Sequence, residues 1–286
     1  MAAILHCSIT PNLPSSVHSS LTTYKPMHKE QSYWASINSD IETHLKMSIP
    51  IRSPLSVYEP MHHLTLSAPR SMAPALCIAA CEVVGGHGHQ AIDAAAAVHL
   101  MQTAAYTHEN LILLDQQKPN LAAHHSYDTN IQLLMGDTIL PFAYELLASS
   151  DDSTGNNSHK ILRVIIELSQ AMGTQGMIDG QYKKMQRIGS DDRLIYQVCK
   201  KMEGELYSCG AACGAILGGG SDNEIKKLRR YGLYVGLIHG MMLRGIGLGR
   251  VKEIKALALK ELHYFKNQNI EAITSLVDAR LFRSSS

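Results

Sequence analysis

Acidic residues are missing from the start of this chain: none stands between Met1 and Lys29, a stretch in which Ser and Thr recur. Charge is sparse elsewhere too. Only 18% of the 286 residues are charged and the net charge is +1, which removes any global electrostatic case for nucleic acid or a membrane surface. Low charge also leaves room for a buried subunit interface. No apolar run approaches the roughly 20 residues needed to span a bilayer. Six cysteines in a chain this long do not make a disulfide-dense secreted domain, so a reducing compartment is expected. The 15 histidines lack His-x-x-x-His metal spacing, and the cysteines lack Cys-x-x-Cys spacing.

The acid-free, Ser/Thr-rich start has no unbroken apolar core of a secretory signal. It reads as a chloroplast transit peptide over residues 1–32, with a plain disordered N-terminus as the alternative. Beyond it, Trp34, Ile37, Ile41 and Leu45 fall at helical spacing, and a connector punctuated by Pro50, Pro54 and Pro60 follows. Further helices are expected around Ala75–Val84, Ala91–Leu114, Asn130–Leu147, Ile161–Ala171, Ile195–Leu217, Glu224–Leu243 and Val251–Phe265. Gly85-Gly86, Asp151–Ser158, Gly218-Gly219-Gly220 and Gly245–Gly249 separate them. Ser221-Asp222-Asn223-Glu224 is a capping box. With no strand pattern, repeat or second boundary, residues 33–283 are expected to form one all-α domain.

Two Cys-x-x-x-Cys pairs are the sharpest positive feature: Cys77 with Cys81, and Cys209 with Cys213. Spacing of four puts both thiols on one helix face, among small residues that let another helix approach closely. Three readings stand side by side: helix contact with a partner, ordinary core, or a four-thiolate zinc site. The acidic pairs Asp151-Asp152 and Asp191-Asp192 read as a solvated loop and a helix start.

Residues from about Tyr33 to Leu276 resemble trans-prenyl diphosphate synthases, and within them the non-catalytic small subunits of plant plastid geranyl(geranyl) diphosphate synthases. The resemblance is carried by Leu76-Cys77-Ile78-Ala79-Ala80-Cys81-Glu82 with Val84-Gly85-Gly86, by His108, and by Gly136-Asp137 with Pro141-Phe142-Ala143-Tyr144-Glu145. Gly180-Gln181 and Cys209 through Gly219 complete it. It implies an isoprenoid-synthase-type helical bundle.

The departures from the catalytic pattern carry the functional expectation. The first aspartate-rich motif, His-Asp-Asp-x-x-x-x-Asp, appears here as His108-Glu109-Asn110 with Asp115 at its far end. The second, Asp-Asp-x-x-Asp, aligns with Leu243, Arg244 and Gly247. Magnesium needs clustered hard oxygen ligands, and a cation at Arg244 would repel it. The diphosphate-gripping Gly-Lys-Arg loop corresponds to Ala68-Pro69-Arg70-Ser71, and the Arg pair after the first motif is gone. The resemblance therefore implies a regulatory subunit with no catalytic residues, metal or cofactor of its own. Its expected partner is a catalytic geranylgeranyl diphosphate synthase large subunit that carries the Mg²⁺, in a heterodimer or heterotetramer in the plastid stroma. The two thiol pairs are the expected partner contacts. The expected outcome is a product shift toward C10 geranyl diphosphate. Enhancement of the C20 product, a self-sufficient prenyltransferase with a degenerate metal site, or a pure scaffold are the alternatives.

Overall fold

The computed structural model describes residues 27–116, 127–150, 157–186, 192–246, 248–265, 268 and 270–277. No strand occurs among them. The helices are α1 (Met27–Ser48), α2 (Leu55–Ser67), α3 (Ala73–Val83), α4 (Ile92–Gln116), α5 (Thr129–Ser149), α6 (Ser158–Met172) and α7 (Met177–Met185). They continue as α8 (Asp192–Cys199), α9 (Glu205–Leu217), α10 (Asp222–Leu243), α11 (Leu248–Leu262) and α12 (Glu271–Ser275).

Sequence composition decides which helices lie inside. In α9 every residue from Leu206 to Leu217 is buried, and α3 buries all but Glu82. A helix apolar all round can only be central. α9 accordingly runs between α3 and α10, and these are among the most extensive helix contacts in the chain. The separation is set by glycine. A Cβ on Gly214 would lie 1.8 Å from the Cys77 carbonyl oxygen, and one on Gly232 would lie 2.4 Å from that of Tyr207. The three backbones therefore touch directly.

The outer helices are amphipathic. Ile161, Val164 and Leu168 of α6 face inward while Leu162 and Ile166 face out. Ser221 and Glu224 form the expected capping box at the start of α10. α1 buries Trp34, Ile37, Ile41 and Leu45 as the spacing predicts, and the Trp34 indole donates to Ser275 Oγ at 3.0 Å, tying α1 to α12.

Several boundaries differ from the sequence expectation. α1 begins at Met27, inside the stretch assigned to the leader; residues 1–26 lie outside the described ones. The proline-punctuated connector contains a helix, α2, with Pro60 in its interior. The single helix expected over Ile195–Leu217 is interrupted by a π-helical turn at Lys200–Gly204. Such turns recur where a helix re-aims a side chain. Asp151, Asp152 and Asp191 lie outside the described residues, and Asp192 opens α8.

α5 is the exception to tidy burial. Among the described residues it is the helix long and apolar enough to cross a bilayer, contrary to the sequence reading that no segment is. Its Gln132, Met135, Gly136, Ile139, Ala143 and Leu147 are buried, and it packs extensively on α4. Yet only 33% of its most apolar stretch is covered, and Leu133 and Leu134 stand exposed.

Candidate functional site

The described residues expected to stand for the two aspartate motifs lie on α4 and at the end of α10, joined by ion pairs to α7 and to the Lys200–Gly204 turn. Glu109 and Asn110 are on the last turns of α4. Asp115 is in the final turn of that helix; its side chain lies outside the described residues, as does Gly247. His108 packs over α5: a Cβ on Gly136 would lie 2.4 Å from His108 Nε2, and that nitrogen is 3.2 Å from Asp137 Oδ1. The Gly136-Asp137 pair thus gives the ring both its space and its charged neighbour.

The carboxylates whose side chains are described here, Glu109 and Glu203, are already occupied. Glu109 is ion-paired with Lys184 of α7. Arg244, just past the end of α10, grips Glu203 of the π-helical turn with both guanidinium nitrogens, at 2.9 and 3.0 Å. It also donates to the Gly240 carbonyl at 3.0 Å. Gly240 makes room, since a Cβ there would lie 2.6 Å from Glu203 Oε2. Burial opposes the charge on Arg244, but the adjacent Glu203 carboxylate outweighs it and holds the guanidinium above its usual range. Burial and the nearby Arg244 together push Lys184 down. Leu243 is exposed and offers no ligand atom.

This donor set does not fit Mg²⁺. A hard divalent ion asks for several free oxygens in octahedral array. Here one carboxylate faces an ammonium, the other a guanidinium, and Asn110 carries no charge. Lys184 and Glu203 were not singled out in the sequence. Each lies on an element other than the motif it completes, at separations of 75 and 41 residues, so no local spacing reveals them.

The segment aligned with the family's diphosphate-gripping loop is likewise engaged within the chain. Arg70 is ion-paired with Glu42, which also accepts from Lys46 at 2.6 Å. Lys46 first and Arg70 second hold the Glu42 carboxyl below its usual range. The cavity beside them, lined by Asn38, Ser71 and His99 among others, holds about 30 Å³, which is room for about one water.

Above this region, Tyr207 joins three helices: its hydroxyl accepts from the Met72 amide at 3.1 Å and lies 3.1 Å from His239 Nδ1. Burial, helped by Arg244, pushes His239 from 6.5 down to about 4. The folded chain therefore binds fewer protons than the unfolded chain between these values. Stability present above pH 6.5 should fall as pH drops toward 4, by up to about 3 kcal/mol from this residue. Urea midpoints across that range should be flatter in His239→Gln; equal slopes would refute the burial of a neutral ring.

All four motif cysteines, on α3 and α9, are buried within this same chain. Cys209 and Cys213 have their sulfurs 3.8 Å apart, and Cys77 Sγ approaches the Ala91 carbonyl at 3.9 Å. Within this chain the small residues beside them let α3 and α9 approach closely, a Cβ on Gly214 meeting the Cys77 carbonyl. Burial pushes the Cys77 thiol up; the Cys209 hydrogen bond and then burial do so for Cys213, so both stay neutral. Among the described residues no group of three or more His, Cys, Asp or Glu is arranged to hold a metal. Cys209 reaches the edge of a surface cleft of about 680 Å³ that Ile166 and Glu167 of α6 also line.

The sequence signature described as polyprenyl synthetase matches residues 55–241, spanning α2 to α10. The chain belongs to the polyprenyl synthetase family. Within it, the chain is 54% identical to the geranyl diphosphate synthase small subunit of Antirrhinum majus, with a TM-score of 0.81 over 87% of this chain and 99% of that one. It is 47% identical to a chain of the heterotetrameric geranyl pyrophosphate synthase of mint, with a TM-score of 0.79 over the same shares. Among curated sequences it is 46% identical to small subunit 2 of the heterodimeric geranylgeranyl pyrophosphate synthase of Cannabis sativa, a chloroplastic protein. That match covers 87% of this chain and 92% of the relative.

Proposed function

We propose that this polyprenyl synthetase homologue is a non-catalytic small subunit that binds a geranylgeranyl diphosphate synthase large subunit and shifts its product toward C10 geranyl diphosphate. The observation that carries the reading is the occupation of both vestigial metal positions by the chain's own cations, Lys184 on Glu109 and Arg244 on Glu203. A chain so arranged has a synthase fold without a synthase's metal chemistry. The names of its relatives supply the partner: the Cannabis proteins are small subunits of heterodimeric synthases, and the Antirrhinum protein is a geranyl diphosphate synthase small subunit. The higher identity to the latter supports the C10 direction over the C20 one. Relatives named chloroplastic, together with the acid-free first 29 residues, support the plastid stroma as the compartment.

The partner face on this reading is the uncovered side of α5 and α6. Ile131 and Leu134 on α5, and Leu162 and Ile166 on α6, are all exposed. Uncovered apolar surface of this kind marks a docking site. The cleft between Ile166 and Cys209 adjoins it, so the thiol seam bears on the partner by fixing where α6 sits. Co-purification with a plastid large subunit tests the face. Leu134→Glu with Leu162→Glu should leave the lone chain helical and reduce capture at least tenfold. Undiminished capture would send the interface elsewhere.

A further inference from the structure

The two ion pairs of this region do more than occupy its carboxylates. Glu109 sits on α4, Lys184 on α7, Glu203 on the π-helical turn and Arg244 at the end of α10. Two pairs thus connect four separate elements, α4 to α7 and the turn to α10. Neutral contacts reinforce the first joint and tie α7 to the turn. Gln181 of α7 donates to the Ala105 carbonyl of α4 at 2.9 Å. Gly180 packs so closely on Met202 of the turn that a Cβ would lie 2.7 Å from its side chain. Most of the charge is sheltered: the side chains of Glu109, Glu203 and Arg244 are 18%, 16% and 21% exposed, so solvent screening is weaker than for surface pairs. In a site that binds Mg²⁺, the cation draws carboxylates on opposite walls together when ligand arrives. Here the positive charge is covalently part of the walls.

We propose that Lys184 and Arg244 are resident counter-ions that hold α4, α7, the Lys200–Gly204 turn and α10 in one arrangement, so that the chain keeps the same shape whether or not divalent cation and diphosphate are present. Its constancy within a complex rests on the partner reading above; its constancy as a lone chain does not.

Backbone hydrogen exchange on the full chain, with and without millimolar Mg²⁺ and inorganic diphosphate, tests this directly. Protection in segments 105–111, 180–186, 199–204 and 240–246 should be the same in both conditions. In Lys184→Met with Arg244→Met, exchange in those four segments should quicken by roughly tenfold or more while α3 and α9 stay protected. Lys184→Glu should loosen the α4–α7 joint through repulsion of Glu109, and adding Glu109→Lys should restore it. Slower wild-type exchange on adding Mg²⁺ and diphosphate would overturn the proposal, because the site would then respond to ligand. Unchanged exchange in the double methionine variant would overturn it too. So would failure of the charge-reversed pair to recover protection, which would mark the single substitution as general damage. None of these results bears on whether the large subunit is bound, so the partner reading is judged separately.

Discussion

Purified without a partner, the chain should give no prenyl diphosphate above a blank when supplied with dimethylallyl and isopentenyl diphosphates and Mg²⁺. The expectation follows from the donor set. Glu109 is held by Lys184, Glu203 is held by Arg244, and Arg70 is engaged by Glu42 beside a cavity of about 30 Å³. Stabilising a departing diphosphate requires cationic charge free to follow it, and preorganised electrostatic stabilisation is commonly the largest contribution to such catalysis. Losing it costs several orders of magnitude. Co-expressed with a plastid geranylgeranyl diphosphate synthase, the same chain should raise the C10 share of product several-fold. Turnover by the lone chain would refute the first expectation, and an unaltered product profile in a confirmed complex would refute the second.

The largest stability effect should come from Gly214. Its Cα lies against the α3 backbone so closely that an added methyl would sit 1.8 Å from the Cys77 carbonyl oxygen. Backbone cannot rotate aside as a side chain can, so Gly214→Ala must push α3 and α9 away from each other. We expect more than about 4 kcal/mol of destabilisation, enough to leave the variant insoluble or without a cooperative melt. Gly249→Ala, with nothing within 4 Å of the new methyl, should melt like the wild type. Replacing Cys209 and Cys213 with Leu overpacks the same seam more gently, since neighbouring side chains can yield to some extent. A cooperative, wild-type melt for Gly214→Ala would show that the seam is looser than this geometry requires.

Much of this was readable from the sequence, and the misses share physical causes. Long periodic or wholly apolar helices such as α1, α3, α4 and α10 were legible because core-facing residues repeat at helical spacing and capping residues mark an end. α2 was lost to Pro60, which is tolerated inside a short helix against the local rule. α7 was lost because nine residues with two lysines in the last turn carry little periodic signal. The break at Lys200–Gly204 has no glycine or proline at its start, and it is shaped by the approach of α10, where a Cβ on Gly236 would lie 2.3 Å from the Glu203 carbonyl oxygen. At the site, the sequence shows Glu109, Asn110, Leu243 and Arg244 at the positions aligned with the aspartate motifs. The ion pairs made there were not legible, since Lys184 and Glu109 meet only through tertiary packing. The thiol pairs sit on two helices, α3 and α9, that approach closely within this chain, and spacing alone cannot say whether a partner helix packs there too.

α10 carries two kinds of information on different turns. Its middle, at Gly232 and Gly236, is in backbone contact with Tyr207 and Glu203, and its end, at Arg244, grips the Glu203 carboxylate. Frame and reaction chemistry are thus separable along one helix. Exchanging Lys184 or Arg244 loosens the elements those side chains join, while the contact of α3 with α9 depends on glycines elsewhere. A chain built this way can lose a reaction without losing its shape, and that shape is what remains available for assembly.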